Sequence, residues 1–287
     1  MSSENAYYIP HEAKWPIVGS VGLSLFLGGF AGQLNGSSMA TNIMIVGFLI
    51  LVYMMFGWFG EVINESESGS YNKVEDVSFR MGMIWFIFSE VMFFAAFFGA
   101  LYYIRVFSVP WLGGEGSGAS TNEFIWSGFE AIWPTNGPAA IGGEYEKMGA
   151  WGLPAINTLI LLTSGVTVTW AHWGLIANKR KQLILGLAAT VILGFVFVGL
   201  QVLEYSHGYN ELNLTMGSGV YGSTFYMLTG FHGFHVTVGA IMLAVMLVRS
   251  MKGHFTPEKH FAFEAAAWYW HFVDVVWLGL FIFVYWL

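Results

Sequence analysis

An all-α integral membrane protein with seven transmembrane helices is the fold class this 287-residue sequence predicts. Three observations lead there. Charged residues make up only 10% of the chain, where a soluble domain carries roughly 25%. Hydrophobic residues reach 56% and aromatics 18%. Finally, seven stretches meet or approach the roughly 20 residues a helix needs to cross about 30 Å of hydrocarbon. They cover about 17–34, 41–63, 80–107, 153–177, 183–204, 220–248 and 262–287. The chain reads as a single membrane domain, residues 1–287, with helices one and two in 17–63, helices three to seven in 80–287, and an outer loop at 108–152.

The opening stretch, MSSENAYYIPHEAKWP, lacks the basic n-region of a signal peptide, so no processing step is expected. Span one is the shortest and is rich in glycine (Gly19, Gly22, Gly28, Gly29 and Gly32). In lipid such residues let helix backbones approach closely, which makes packing the better reading than hinging. Span two ends GWFGEVINES, placing Trp58, Glu61 and Glu65 at its inner boundary. Span three contains WFIFSEVMFFAAFF, with Glu90 inside an otherwise apolar run. In the loop that follows, Gly, Pro and Ser break up regular structure. Its tryptophans (Trp111, Trp126, Trp133) suit the interface, and Glu115, Glu123, Glu130, Glu144 and Glu146 face outward. That loop reads as a solvated excursion packed on its neighbours, with docking to a basic partner as the alternative. The connection Asn178–Gln182 is so short that spans four and five must be antiparallel neighbours. Span six ends LVRSMKGHF, with Arg249, Lys252 and His254.

Orientation follows from the basic residues beside each span. With the N-terminus inside, the inner segments hold nine of the eleven (Lys14, Lys73, Arg80, Lys179, Arg180, Lys181, Arg249, Lys252, Lys259), and the outer side holds Arg105 and Lys147. The formal charge of −7 says little about either face, because several acids share one loop.

A carboxylate at mid-bilayer costs about 2.5–3.5 kcal/mol on insertion scales, so Glu90 needs a partner, a bound proton or a lipid headgroup within reach. Phe86, Phe93, Phe94 and Phe97 share its helix face. Two readings stand side by side: a proton-exchanging carboxyl lining a cleft, and a structural hydrogen bond to another helix. At the inner edge, Arg249 with His254, and Trp58 with Glu65, suit a phosphate headgroup. Ordinary positive-inside anchoring explains the same charges.

Histidines raise a metal hypothesis. His232 and His235 are three apart, as are His271 and Asp274, and Glu204 with His207 forms one Glu-x-x-His motif. A di-iron bundle needs that motif twice, and bis-histidine haem would draw on His172, His232, His235 or His271. The eight histidines are scattered, and His11, His254 and His260 lie outside the spans. Hydrogen bonding is therefore preferred, and no metal ligand or catalytic residue is assigned. With no cysteine in the chain, disulfides, c-type haem attachment and thiolate metal sites are excluded.

FIFSEVMFFAAFF (86–98), LLTSGVTVTWAH (161–172), GVYGSTFYMLTGFHGFHV (219–236) and HFAFEAAAWYWHFVDVVWL (260–278) resemble subunit III of the haem–copper cytochrome c oxidases, in order, from about Trp15 to Leu287. The resemblance implies a subunit without haem, copper or other cofactor, those groups residing in partner subunits I and II, where oxygen is reduced to water and protons are pumped. It implies that the first two helices splay from a five-helix bundle to form a V-shaped, lipid-filled cleft. It also implies that Glu90 lies in that cleft and that Arg249 contacts a phospholipid headgroup near Trp58, Glu65 and His254. The implied partners are subunits I and II, phospholipid, and cytochrome c as donor to the complex, with no nucleic acid. The implied location is the bacterial inner membrane, N-terminus cytoplasmic and C-terminus periplasmic, or the mitochondrial inner membrane in a eukaryote. The length of loop 108–152 favours the bacterial case. Three rivals are weighed: a quinol-accepting oxidase, whose third subunit usually lacks the two N-terminal helices; an independent membrane metalloprotein; and a transporter, against which the lack of repeats argues.

Overall fold

The computed structural model describes residues 7–9 and 14–287, so His11 and most of the N-terminal stretch lie outside the described residues. Among the described residues no strand occurs, and seven helices are long and apolar enough to span a bilayer. They are α1 (Trp15–Leu34), α2 (Ala40–Glu67), α3 (Lys73–Tyr103), α4 (Leu153–Ile176), α5 (Arg180–Asn210), α6 (Gly219–Lys252) and α7 (Phe261–Leu280).

α2, α3, α5 and α6 overrun their apolar stretches, and at α3 polar residues account for the extension. α3 starts seven residues before Arg80, since its first turn is acidic: Glu75 accepts the Asn72 N–H at 2.8 Å and the Tyr8 N–H at 2.6 Å, and Asp76 pairs with Arg80 at 2.8 Å. Negative charge there suits the helix dipole, and the i,i+4 pair adds to it. At its other end α3 continues through a π-helical turn, Ile104–Ser108, into Val109–Leu112. Such turns shift the hydrogen-bond register, and here one precedes Pro110, which has no N–H to donate. α1 and α4 each start with proline in the first turn, where no partner is lost. α6 stops at Gly253, whose φ of 83° lets the Gly253 and His254 N–H groups close onto Ser250 O and Arg249 O.

The chain divides into two compact units, Met1–Met81 and Gly82–Leu287. In the first, α1 and α2 pair through small residues: the helices bury only Gly22, Gly29, Ala40 and Gly47. A methyl on Gly47 would lie 2.3 Å from the Phe26 nitrogen, and one on Gly29 would lie 2.5 Å from the Met44 nitrogen. The glycines of span one thus do pack, except Gly28, which faces open space. Large side chains such as Phe48, Leu49 and Phe56 point outward.

The second unit has a core of large aromatics. Trp270, Trp277, Phe197, Phe225 and Phe263 are fully buried. Two of the indoles of α7 donate to hydroxyls of α4, Trp270 to Ser164 and Trp277 to Thr158, each at 2.9 Å. A buried tryptophan thereby satisfies its one polar atom. α4 and α5 are antiparallel neighbours, as their short connection requires. Gly186 approaches the Thr167 carbonyl, and the Thr167 and Thr190 hydroxyls meet at 2.7 Å.

Loop 108–152 is more regular than its Gly, Pro and Ser content predicts. Besides Val109–Leu112 it forms a 3₁₀ turn, Gly116–Gly118, and a short helix, Ala119–Phe124. Asn122 ties these together by donating to the Leu112 and Phe129 carbonyls at 2.9 and 3.2 Å. The loop then returns to α6, where the Tyr221 N–H meets Thr135 O at 3.1 Å and Trp133 sits edge-on to Tyr221. Tyr145 stacks on the same Tyr221, and burial raises its hydroxyl pKa.

Candidate functional site

Glu90 has a partner on another helix. Its Oε2 lies 2.9 Å from Nε2 of His235, which α6 presents from the position one turn after Phe231. The His235 Nδ1–H donates to the Phe231 carbonyl at 2.6 Å. With Nδ1 so committed, the Glu90–His235 contact holds a single proton: either a carboxylic acid donates to neutral imidazole, or an imidazolium donates to carboxylate. Both versions are net neutral, which answers the cost of placing an acid in an apolar run. Phe94 and Phe93 lie against the imidazole with centroids at 5.1 and 6.0 Å, and Tyr269 stacks on it at 6.3 Å. Of the four phenylalanines on this face, Phe94 is buried, Phe93 and Phe97 pack on Phe231, and Phe86 stacks on Tyr269. The Glu90 side chain keeps 22% of its surface open, so the pair is reachable rather than sealed.

The residues that the sequence assigns to the inner edge divide between the units. In the first, Glu65 accepts the hydroxyls of Tyr8 and Tyr71 at 2.9 and 2.5 Å, and Trp58 stacks on Phe59. Both tyrosines have raised pKa values. For Tyr8 the hydrogen bond to Glu65 is the main cause, and for Tyr71 burial comes first and that bond second. In the second unit, Arg249 is buried, with its guanidinium 4.6 Å from the Phe255 ring centroid. Arg180 donates to the Met251 carbonyl near the same helix end, where cations complement the dipole. His254 follows in the cap of that helix.

The other intramembrane histidines are also engaged with protein groups. His232 is fully buried, and its Nε2 lies 3.2 Å from the Val273 carbonyl. His271 contacts Asp274 at 3.5 Å and Thr169 at 3.3 Å. The Glu-x-x-His residues part company: buried Glu204 accepts the Tyr285 hydroxyl at 2.6 Å, while His207 faces outward to Glu211 at 3.0 Å. Sequence reasoning treated His235 as a haem candidate and missed it as the partner of Glu90, because 145 residues separate the two.

The sequence matches the family model described as cytochrome c oxidase subunit III over residues 5–122 and 127–287. Cytochrome c oxidase subunit 3 of Arabidopsis thaliana is 40% identical over 286 residues, covering 99% of this chain and 97% of the relative. The proteins of the same name from Carassius auratus and Marchantia polymorpha are 41% and 40% identical over 283 and 288 residues. They cover 98% and 100% of this chain and 97% and 98% of themselves.

Proposed function

The chain belongs to the cytochrome c oxidase subunit III family, and from that premise we propose that it serves its oxidase complex as a non-redox core subunit. In this reading it stabilises subunit I, holds phospholipid and supports proton uptake, while haem and copper reside in subunits I and II and cytochrome c delivers electrons to the complex. The protein is integral to the membrane. The carrying observation is how its polar groups are used: Glu90 and His235 pair with each other, His232 meets the Val273 carbonyl and His271 meets Asp274, so each has a partner within this chain.

The lipid role draws support from the first unit, whose two helices bury small residues and turn their large apolar side chains outward. Those faces require lipid or protein cover. A lipid-contacting role for Glu90, Arg249 and His254 of the second unit, and for Trp58 and Glu65 of the first, belongs to the same proposal. So does an orientation with the N-terminus in the cytoplasm or matrix, supported by nine of eleven basic residues on that side. The presence of α1 and α2 favours a cytochrome c-accepting complex over a quinol-accepting one.

Purifying the oxidase with and without this chain tests the proposal. Both preparations should start at similar turnover, with the depleted one taking up protons more slowly and losing activity over repeated cycles. Equal proton uptake and equal endurance would refute the supporting role.

A further inference from the structure

His172 on α4, His260 at the N-cap of α7 and Glu264 one turn later converge in the second unit, and no part of the proposed function uses them. His172 Nε2 lies 3.4 Å from His260 Nε2 and 3.8 Å from Glu264 Oε1, and the His260–Glu264 separation is 3.6 Å. A tetrahedral Zn²⁺ with nitrogen and oxygen ligands at about 2.0–2.2 Å holds those atoms about 3.3–3.5 Å apart. The three atoms therefore stand within a few tenths of an ångström of a ligand triangle before any ion arrives.

Tautomer chemistry points the same way. The His260 Nδ1–H donates to the Thr256 carbonyl at 2.9 Å, which turns the Nε2 lone pair of the neutral ring toward the cluster. A carbonyl on the far nitrogen is the usual outer partner of a metal-binding histidine, since it fixes the ring and raises its basicity. Thr256 is itself fixed, because its carbonyl and hydroxyl both accept the Lys259 N–H. His260 thus directs a lone pair at a second imidazole and a carboxylate, an arrangement that favours a cation among them.

We infer that His172, His260 and Glu264 form a three-ligand site for a zinc-type divalent ion, clamping the C-terminal part of α4 to the start of α7. Two imidazoles and one carboxylate suit Zn²⁺, whereas Mg²⁺ and Ca²⁺ prefer all-oxygen shells. The fourth position falls to water, with entry beside His172, the most exposed of the three at 25%. Alternation of the spans puts this site at the same membrane edge as the α4–α5 connection. It involves none of the histidines bound up with Glu90, Val273 or Glu211.

The test uses the intact oxidase, stripped with a chelator and titrated with Zn²⁺ against a chromophoric competitor. Wild type and the exposed-histidine control His207→Gln should bind one more equivalent than His260→Leu and Glu264→Gln, or bind it at least about 10-fold more tightly, the loss typical even of outer partners. Equal stoichiometry and affinity in all four proteins would overturn the assignment. Should a variant fail to assemble, anomalous scattering at the zinc edge from zinc-soaked wild-type oxidase decides the matter. A peak among the three side chains is expected. Its absence would leave a proton-sharing histidine–histidine–glutamate cluster and no metal site.

Discussion

The two units solve the problem of helix association in lipid differently. Residues up to Met81 supply only two membrane helices, and two rods cannot enclose a core. They meet through Gly22, Gly29, Ala40 and Gly47, where backbone nearly touches backbone. Residues from Gly82 onward have enough helices to surround Trp270, Trp277 and Phe197, and they orient the two indoles with hydroxyls from a neighbouring helix. Close packing of small groups and interhelical hydrogen bonds are the two means available where lipid is as apolar as leucine. The first unit relies mainly on the former, and the second adds the latter to close glycine contacts such as that of Gly186 with the Thr167 carbonyl.

The largest expected effect lies in the aromatic core. Trp270→Ala removes a fully buried ring and leaves the Ser164 hydroxyl without its donor, which should cost about 3–5 kcal/mol. Thermal unfolding of the purified complex would register it as early loss of this subunit. Next comes Gly47→Ala, a change of one methyl. If the first unit depends on backbone contact it should cost about 1–3 kcal/mol through overpacking and weaken disulfide cross-linking engineered between α1 and α2. Unchanged cross-linking would show that the helix pair tolerates separation and would erase the contrast between the units.

Third, His235→Leu strands Glu90 in an apolar setting. An orphaned buried polar group costs about 1–3 kcal/mol, and Glu90→Gln, which can still hydrogen-bond to His235, should cost much less. Assembly yield and melting temperature of the two variants separate a structural pair from a functional one: Glu90→Gln should assemble normally and affect only proton uptake.

The smallest effect concerns the tyrosines on Glu65, outside the spans. Tyr71 and Tyr8 have pKa values raised above the usual 10.0 by burial and by the Glu65 carboxylate. The sign is therefore that their contribution is complete below about pH 10 and disappears as pH climbs through the raised values. Proteolytic nicking near Tyr8 should accelerate only in strong alkali, and Tyr71→Phe should blunt that acceleration.

Much of the helical frame was legible because hydropathy and span length report directly on the bilayer. Helix ends were less so: at α3 the acidic turn at Glu75 and Asp76 extends the helix beyond its apolar run, and at loop 108–152 the single side chain of Asn122 organises a segment whose composition suggests coil. That Glu90 needs a partner follows from the energetics of burial. Which residue answers does not, since His235 arrives from a helix far along the chain. At Glu65, likewise, the fold brings hydroxyl donors from Tyr8 and Tyr71 that no pattern in the sequence signals. The convergence of His172 on His260 and Glu264 was half visible: residues 260 and 264 share a helix face, but His172 comes from another helix.

The central claim is that the chain supports oxygen reduction without holding a redox centre. Haem and copper counted per complex, in oxidase purified with and without this subunit, test it most directly. The two preparations should contain identical amounts of both. A matching loss of haem or copper on removing the chain would contradict the claim.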